Sequence, residues 1–209
     1  MERITLLTIA IFLFASITKA QITKGSTFIG GQISGGSLKQ ESGSNVQKQS
    51  SFTISPAIGT AIKQNLIAGI DLTYAHTRYE YPPSPVNEAN SLGAGVFLRR
   101  YTSLVSRFYF FLQGRVGYYY DKSESTSGNT HYKNLGNNFS LGLYPGVSYA
   151  LSKCLHIEAG LNNLALLNYS YGTATQTGSP DVKTNGFNFS TSASGTNLAF
   201  ALRFIIPKK

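Results

Sequence analysis

This sequence has almost none of the cysteine that disulfide bonds and cysteine-based zinc sites need. Cys154 is the only cysteine among 209 residues, which excludes an internal disulfide and a zinc site built on cysteines. Tryptophan is absent, and Lys and Glu, which are typical of exposed helices, are few. The fold must therefore be stabilised by packing and strand pairing, and an all-β structure is the first expectation.

Long apolar runs are missing after the first twenty residues. Arg3 precedes an apolar run of 14 residues, Ile4 to Ile17, and Thr18-Lys19-Ala20 then offers small residues at the two positions that a signal peptidase inspects. This pattern predicts a secretory signal peptide over residues 1–20 and one mature domain over residues 21–209. No later segment has the roughly 18 apolar residues that a spanning helix needs. The exported chain is then either soluble or a membrane β-barrel.

Strand patterning fills the mature chain. Apolar and small polar residues alternate with a period of two, and this pattern recurs eight times. In the second predicted strand, for example, Phe52, Ile54 and Ile58 alternate with Thr53 and Ser55. The apolar faces of the eight strands carry, in chain order, Ile29 and Ile33; Phe52, Ile54, Ile58 and Ile62; Leu66, Ala68, Ile70, Leu72 and Tyr74; Leu92, Ala94, Val96 and Leu98; Phe108, Phe110, Leu112 and Val116; Phe139, Leu141, Leu143, Val147 and Tyr149; Leu155, Ile157, Ala159 and Leu161; and Leu198, Phe200, Leu202 and Phe204.

The connections between these strands alternate in length. Polar segments near residues 36–48, 80–90, 121–133 and 173–185 alternate with tight turns near residues 63–65, 104–106 and 152–154. In an up-and-down meander this alternation puts every long connection at one end of the barrel and both termini at the other. The long segments are rich in Ser, Thr, Gly and Asn, so we expect mobile loops there.

Small residues dominate the second face of the strands, for example Gly69, Gly93, Gly95, Gly117 and Gly142. A soluble barrel such as a lipocalin would carry many Lys and Glu on its water-facing side. The interior of an eight-stranded barrel is just wide enough for side chains to fill it, so the small and polar face belongs inside. The apolar face then meets lipid. The predicted fold class is an all-β, eight-stranded, antiparallel, up-and-down transmembrane β-barrel.

Aromatic spacing on the apolar face agrees with a membrane span. Phe108 and Tyr118 are ten residues apart, as are Phe139 and Tyr149. Roughly ten tilted strand residues cross an apolar band of about 25 Å. These four residues are therefore predicted to lie in two interfacial girdles, with Tyr and Phe in place of the absent tryptophan.

Three short motifs accompany this pattern. They are K-G-S at residues 24–26, F-x-I-S-P at residues 52–56 and G-x-Y-P-G-V-x-Y at residues 142–149. Together with the signal peptide and the Ser- and Gly-rich strands, they resemble the small eight-stranded outer-membrane β-barrel proteins common in Bacteroidetes, within the wider OmpA/OmpX-like class. The resemblance covers about residues 21–206. It implies the fold and a location in the cell outer membrane. Its motifs are packing patterns and not catalytic signatures, so it specifies the fold better than an activity.

Five charged residues have the inward parity: Asp71, Arg99, Arg115, Glu158 and Arg203. A carboxylate inside a narrow barrel needs a partner, and guanidinium groups can satisfy two oxygens at once. We expect these residues to form a structural interior network that His156 extends. The alternatives are a polar path for protons or ions, and a catalytic acid pair.

Catalysis and nucleic-acid binding are both disfavoured. His76 and His131 near the loop end are the only residues that suggest a lipid-modifying site, and neither a nucleophile elbow nor a triad spacing is present. Zinc and phosphate-cradling motifs are also lacking, so no metal or cofactor is expected. The net charge of +9 is spread out, whereas a nucleic-acid groove would concentrate it on one surface.

A ring of cations is predicted at the short-turn rim, where it suits anionic lipid headgroups. Its members are Lys24, Lys63, Arg100, Arg107, Lys153, Lys208 and Lys209.

Taken together, these patterns predict a monomeric, non-catalytic outer-membrane barrel with a structural or surface-interaction role. Its partners would be outer-membrane lipids and an extracellular ligand or protein bound by the long loops. The alternative is a narrow channel or carrier for small solutes or hydrophobic ligands.

Overall fold

A computed structural model describes residues 22–42, 45–81, 86–161, 164–191 and 198–208. The predicted signal peptide lies outside this part of the chain. The regular structure of the described residues is entirely β, and none of their segments forms a helix with the length and apolar character needed to cross a membrane.

Ten strands follow one another along the chain. They are β1 (Thr27–Ser42), β2 (Asn45–Lys63), β3 (Leu66–Glu80), β4 (Asn87–Val105), β5 (Phe108–Ser127), β6 (Thr130–Ala150), β7 (Leu155–Leu161), β8 (Ala165–Gln176), β9 (Val182–Thr191) and β10 (Leu198–Ile206). β1 to β6 pair as successive antiparallel neighbours.

The last four strands occupy only two positions in the barrel. β6 pairs with β7 through its residues 146–150 and with β8 through its residues 132–143. β10 pairs in turn with β7, and β9 with β8. β7 and β8 are therefore successive parts of one barrel strand, and β10 and β9 of the next. The result is a closed eight-stranded antiparallel barrel, which confirms the predicted fold class.

The barrel closes where the first and last strands meet. Thr27, Phe28 and Ile29 of β1 pair with Ile206, Ile205 and Phe204 of β10. The segment before β1 is held at the same end, because the backbone N–H of Ile22 donates to the side-chain oxygen of Asn65 at 3.0 Å. Both ends of the described chain thus lie at the short-turn end, as predicted.

The predicted tight turns are also confirmed. β2 and β3 are joined through Gln64 and Asn65, and β4 and β5 through Ser106 and Arg107. Asn65 has a φ of 56° and Ser106 a φ of 33°. Asparagine tolerates this left-handed region better than most residues, which suits a two-residue hairpin connection.

The prediction of long mobile loops at the other end was wrong. β5 and β6 remain paired up to Ser127 and Thr130, and β1 and β2 up to Ser42 and Asn45. The polar segments near residues 36–48 and 121–133 are therefore mostly paired strand, and β3, β4, β8 and β9 also extend into predicted loops. These hairpins have water on both faces, so their side chains carry no apolar alternation even though the backbone is fully paired.

Candidate functional site

The outer surface of the barrel is apolar around its circumference. Large apolar residues of the predicted outward face are exposed on every strand from β1 to β6 and on β7 and β10. The register of β5 and β6 places Phe108 opposite Tyr149 and Tyr118 opposite Phe139. The ring centroids of these pairs are 4.6 Å and 5.0 Å apart. The two predicted aromatic girdles are therefore confirmed on these strands, about 25 Å apart along the barrel axis.

The inside of the barrel is polar and charged. Arg99, Arg115, Glu158, His156 and Ser148 are buried, all on the inward face. A soluble barrel has the opposite arrangement, with polar side chains on the outside. The combination of an apolar outer band, two aromatic girdles and a polar interior places this barrel in the outer membrane.

Large aromatic side chains close the short-turn end of the interior, and none of them is among the interior residues predicted from the sequence. Phe28, Phe97, Tyr101, Tyr109 and Phe111 are all buried there. The Tyr101 ring lies 6.1 Å from the Tyr109 ring and 6.0 Å from the Phe111 ring, measured between centroids. We call these five side chains the aromatic base. They fill the lumen at this end.

Glu158 is the centre of a buried network directly on the aromatic base. Its carboxylate accepts hydrogen bonds from Nη1 of Arg99 at 2.6 Å, from the Tyr101 hydroxyl at 2.7 Å and from Nε of Arg203 at 3.2 Å. The Arg99 guanidinium also lies 4.5 Å from the centroid of the Phe111 ring. One carboxylate thus joins two arginines from β4 and β10, with cation–π packing against the base.

Arg115 and Asp71 form a second pair further from the base. Nε and Nη2 of Arg115 donate to both carboxylate oxygens of Asp71, with distances from 2.5 to 3.1 Å. The guanidinium lies over Gly95 of β4, where a Cβ would be 2.5 Å from Nη2. Glycine at this position therefore makes room for the arginine side chain.

All five predicted interior charges are paired, but in two separate groups. Arg99, Glu158 and Arg203 belong to one group, and Arg115 and Asp71 to the other. His156 does not bond to either group. Its Nδ1 lies 3.1 Å from the Ser148 hydroxyl, and its ring packs 5.8 Å from the Tyr109 ring. His156 is thus part of the short-turn end of the interior.

A cavity of about 210 Å³ lies above the aromatic base. Side chains of both charged groups line it, together with Gln113, Tyr119 and Tyr144. We call this space the lumen cavity. It brings three guanidinium groups and two carboxylates to one site.

The two histidines near the hairpin end are not brought together. His76 on β3 has its Nδ1 at 2.9 Å from the Asn90 side-chain oxygen, and His131 on β6 has its Nδ1 at 2.9 Å from the Thr126 hydroxyl. β4 and β5 lie between these strands. The described residues contain no group of three or more His, Cys, Asp or Glu that could hold a metal ion.

The short-turn rim carries cations, as predicted. Lys24, Lys63, Arg100, Arg107, Lys153 and Lys208 are all exposed there. Lys209 lies outside the described residues. All eight acids of the described chain lie either in the lumen or on the hairpins. This rim therefore presents positive charge beside the inner aromatic girdle.

The chain was compared with protein families, curated proteins and solved structures. No protein-family model matches the chain, and a search of curated proteins finds no match. Among solved structures, the translocator domain of the autotransporter NalP from Neisseria meningitidis is 13% identical with a TM-score of 0.43, covering 98% of this chain and 93% of that one. Neisserial surface protein A is 16% identical with a TM-score of 0.39, covering 89% of this chain and 97% of that one. The assignment to the outer membrane therefore depends on the surface and interior of the barrel itself.

Proposed function

We propose that this protein is a monomeric, non-catalytic outer-membrane barrel that presents a rigid sheet outside the membrane for surface interaction. The observation that carries the proposal is the length of the paired hairpins. β5 extends nine residues beyond Tyr118, and β6 begins nine residues before Phe139. Nine tilted strand residues extend about 20 Å above the girdle.

Exposed ion pairs on the outer hairpin of β3 and β4 also support an ordered outer sheet. Nη1 of Arg78 on β3 donates to Glu88 on β4 at 2.9 Å, and Nε of Arg78 to Glu80 at 2.9 Å. Such exposed pairs are individually weak. The continuous backbone pairing is what makes the surface rigid, and a rigid surface binds a partner with less loss of conformational entropy than a mobile loop.

We also propose that the barrel is of the OmpA/OmpX-like class. The motifs at residues 24–26, 52–56 and 142–149 resemble those of the small Bacteroidetes barrels of the OmpA/OmpX-like class. The exposed cations of the rim are suited to bind anionic phospholipid headgroups, which we propose as the lipid partners. The other proposed partner is an extracellular ligand or protein that binds the hairpins.

A shortened hairpin tests which part of the molecule carries the function. Residues 123–134 are replaced by Asn-Gly, a two-residue turn that joins the facing residues Lys122 and Leu135. We expect the variant to fold and insert, seen as a heat-modifiable band in outer-membrane fractions. It should nevertheless fail to restore the surface phenotype of a deletion strain that the wild-type protein restores. Full restoration by the shortened barrel would contradict a role for the hairpins.

A conductance measurement separates this proposal from the channel alternative. The aromatic base fills the lumen at the short-turn end, and the paired arginines narrow it above. We therefore expect the purified wild-type protein to give no steady ion current in planar bilayers. Reproducible single-channel steps above the background of protein-free bilayers would support a channel instead.

A further inference from the structure

The ladder between the first and last strands is short. It ends at Ile29 of β1 and Phe204 of β10. Beyond this point β1 pairs only with β2, β10 only with β7 and β9 only with β8 in the described part of the chain. We call the unpaired boundary between β1 and β10 the seam. Unpaired backbone groups at membrane depth are tolerated where they line a water-filled or ligand-filled cavity.

Side-chain exposure identifies the same boundary. The four most exposed large apolar side chains of the described residues are Phe200 at 75%, Ile33 at 73%, Phe187 at 68% and Phe189 at 63%. They belong to β10, β1 and β9, the strands that lack a neighbour on this side. Their high exposure is the result of the missing strand contact, and it leaves an apolar surface beside the seam.

Arg203 crosses the seam just above the last residue pair. Its Nη1 donates to the backbone carbonyl of Gly31 at 2.6 Å, while its Nε donates to Glu158. A Cβ on Gly30 would be 2.5 Å from Cδ of Arg203. A guanidinium group thus replaces backbone pairing at the point where the ladder ends.

The lumen cavity extends to the seam. Its lining includes Gly31 and Gln32 of β1, and Ala199, Phe200 and Ala201 of β10. These residues come from both strands that border the seam, so the cavity and the seam are adjacent.

The charges of the cavity favour an anion. Arg99, Arg115 and Arg203 line it, but only Asp71 and Glu158 compensate them. The next inward acid on β5, Asp121, is six residues beyond Arg115 and bonds to Asn138. One positive charge in a low-dielectric site therefore remains without a counter-charge, which an anionic group would supply.

We propose that the seam is a lateral entrance through which a single-chain lipid with an anionic head group, such as a fatty acid, binds in the lumen cavity. The carboxylate pairs with the guanidinium groups, and the alkyl chain stays outside along Phe200 and Ile33. A cavity of about 210 Å³ is smaller than the roughly 300–1,000 Å³ that encloses a whole ligand, so only the head enters.

A tryptophan reporter tests the location, because the chain contains no natural tryptophan. Phe200→Trp reports from the seam, and Phe110→Trp on β5 is the matched outward-facing control. The folded variants in uncharged detergent are titrated with stearic acid brominated near the carboxyl group. We expect Phe200→Trp fluorescence to fall and saturate at one fatty acid per barrel, and Phe110→Trp to show only gradual quenching without saturation. The same unsaturable quenching at both positions would overturn the proposal.

Head-group and chain requirements are tested with the same reporter by competition. The methyl ester of the fatty acid lacks the charge and should compete about tenfold or more weakly than the acid. Acetate, which reaches the lumen from water and has no chain, should not displace the brominated acid at matched concentration. Displacement by acetate as strong as that by the fatty acid would indicate a soluble-anion site and overturn the lateral route.

A reversible lock tests the seam directly. If the β1–β10 register continued, Gln32 would face Ala201, so Gln32→Cys and Ala201→Cys in a Cys154→Ser background would close the seam as a disulfide. We expect the oxidised barrel to bind the fatty acid at least about tenfold more weakly than the same protein after reduction. Equal binding before and after reduction would contradict entry through the seam.

Discussion

Replacement of Glu158 by glutamine is expected to destabilise the barrel by about 3–5 kcal/mol. Glu158 is 2% exposed, and its carboxylate accepts hydrogen bonds from Arg99, Arg203 and Tyr101. Glutamine keeps the shape of the side chain but removes the charge, so the buried Arg99 and the largely buried Arg203 lose the one carboxylate that pairs with them among the described residues. The measurement is the free energy of urea unfolding in phospholipid vesicles, followed by heat-modifiable gel mobility.

The matched control is the same substitution at an exposed acid. Glu124 forms an ion pair with Lys122 at 3.0 Å on the outer hairpin, where both side chains are largely exposed. We expect Glu124→Gln to change stability by less than about 1 kcal/mol. If Glu158→Gln were as mild as this control, the interior network would not stabilise the barrel.

A second large effect is expected when Leu143 is replaced by arginine. Leu143 is exposed on the outer face of β6, between the girdle residues Phe139 and Tyr149. An arginine on the lipid face near mid-bilayer destabilises a barrel by roughly 2–4 kcal/mol. The same unfolding experiment in vesicles measures this loss.

The control for this prediction is the same substitution at a different depth in the bilayer. Leu104 is as apolar and is also exposed, but it lies next to the turn between β4 and β5, at the short-turn end. Leu104→Arg should therefore cost about 0–1 kcal/mol. Equal losses for the two variants would mean that Leu143 does not face the bilayer core.

The strand faces and the barrel were predictable because both depend on local pattern. Residues such as Ile54, Ile70 and Leu141 alternate with small residues, and a sheet places alternate side chains on opposite faces. Asn65 and Ser106 mark turns that are equally local. The alternation of long and short connections then limited the topology to one meander.

The outer hairpins were not predicted as strands because their two faces have the same environment, unlike those of the membrane-spanning part. At residues 36–48 and 121–133 both faces of each strand meet water, so burial imposes no alternation on the side chains. Backbone pairing alone continues the strands, and the sequence carries little signal for it. A polar segment of this kind is therefore easily interpreted as a loop.

The interior was only partly predictable. Phe108, Tyr109, Phe110, Phe111 and Leu112 form one apolar run, which conceals that Tyr109 and Phe111 point inward while the others point outward. The pairing of Arg115 with Asp71, and of Arg99 and Arg203 with Glu158, depends on how far neighbouring strands are staggered around the barrel. That stagger is a property of the closed sheet, and no single strand encodes it.

The three residue pairs between β1 and β10 also bear on the order of folding. Every other pair of neighbouring barrel strands belongs to a hairpin and can form from nearby residues. Closure instead joins Thr27 to Ile206, the contact with the largest sequence separation and therefore the largest loop-closure entropy. The hairpins should therefore form and pair with one another first, and the barrel should close last. A curved open sheet with intact hairpins would then be the final intermediate of assembly. The same open sheet would be the first product of unfolding.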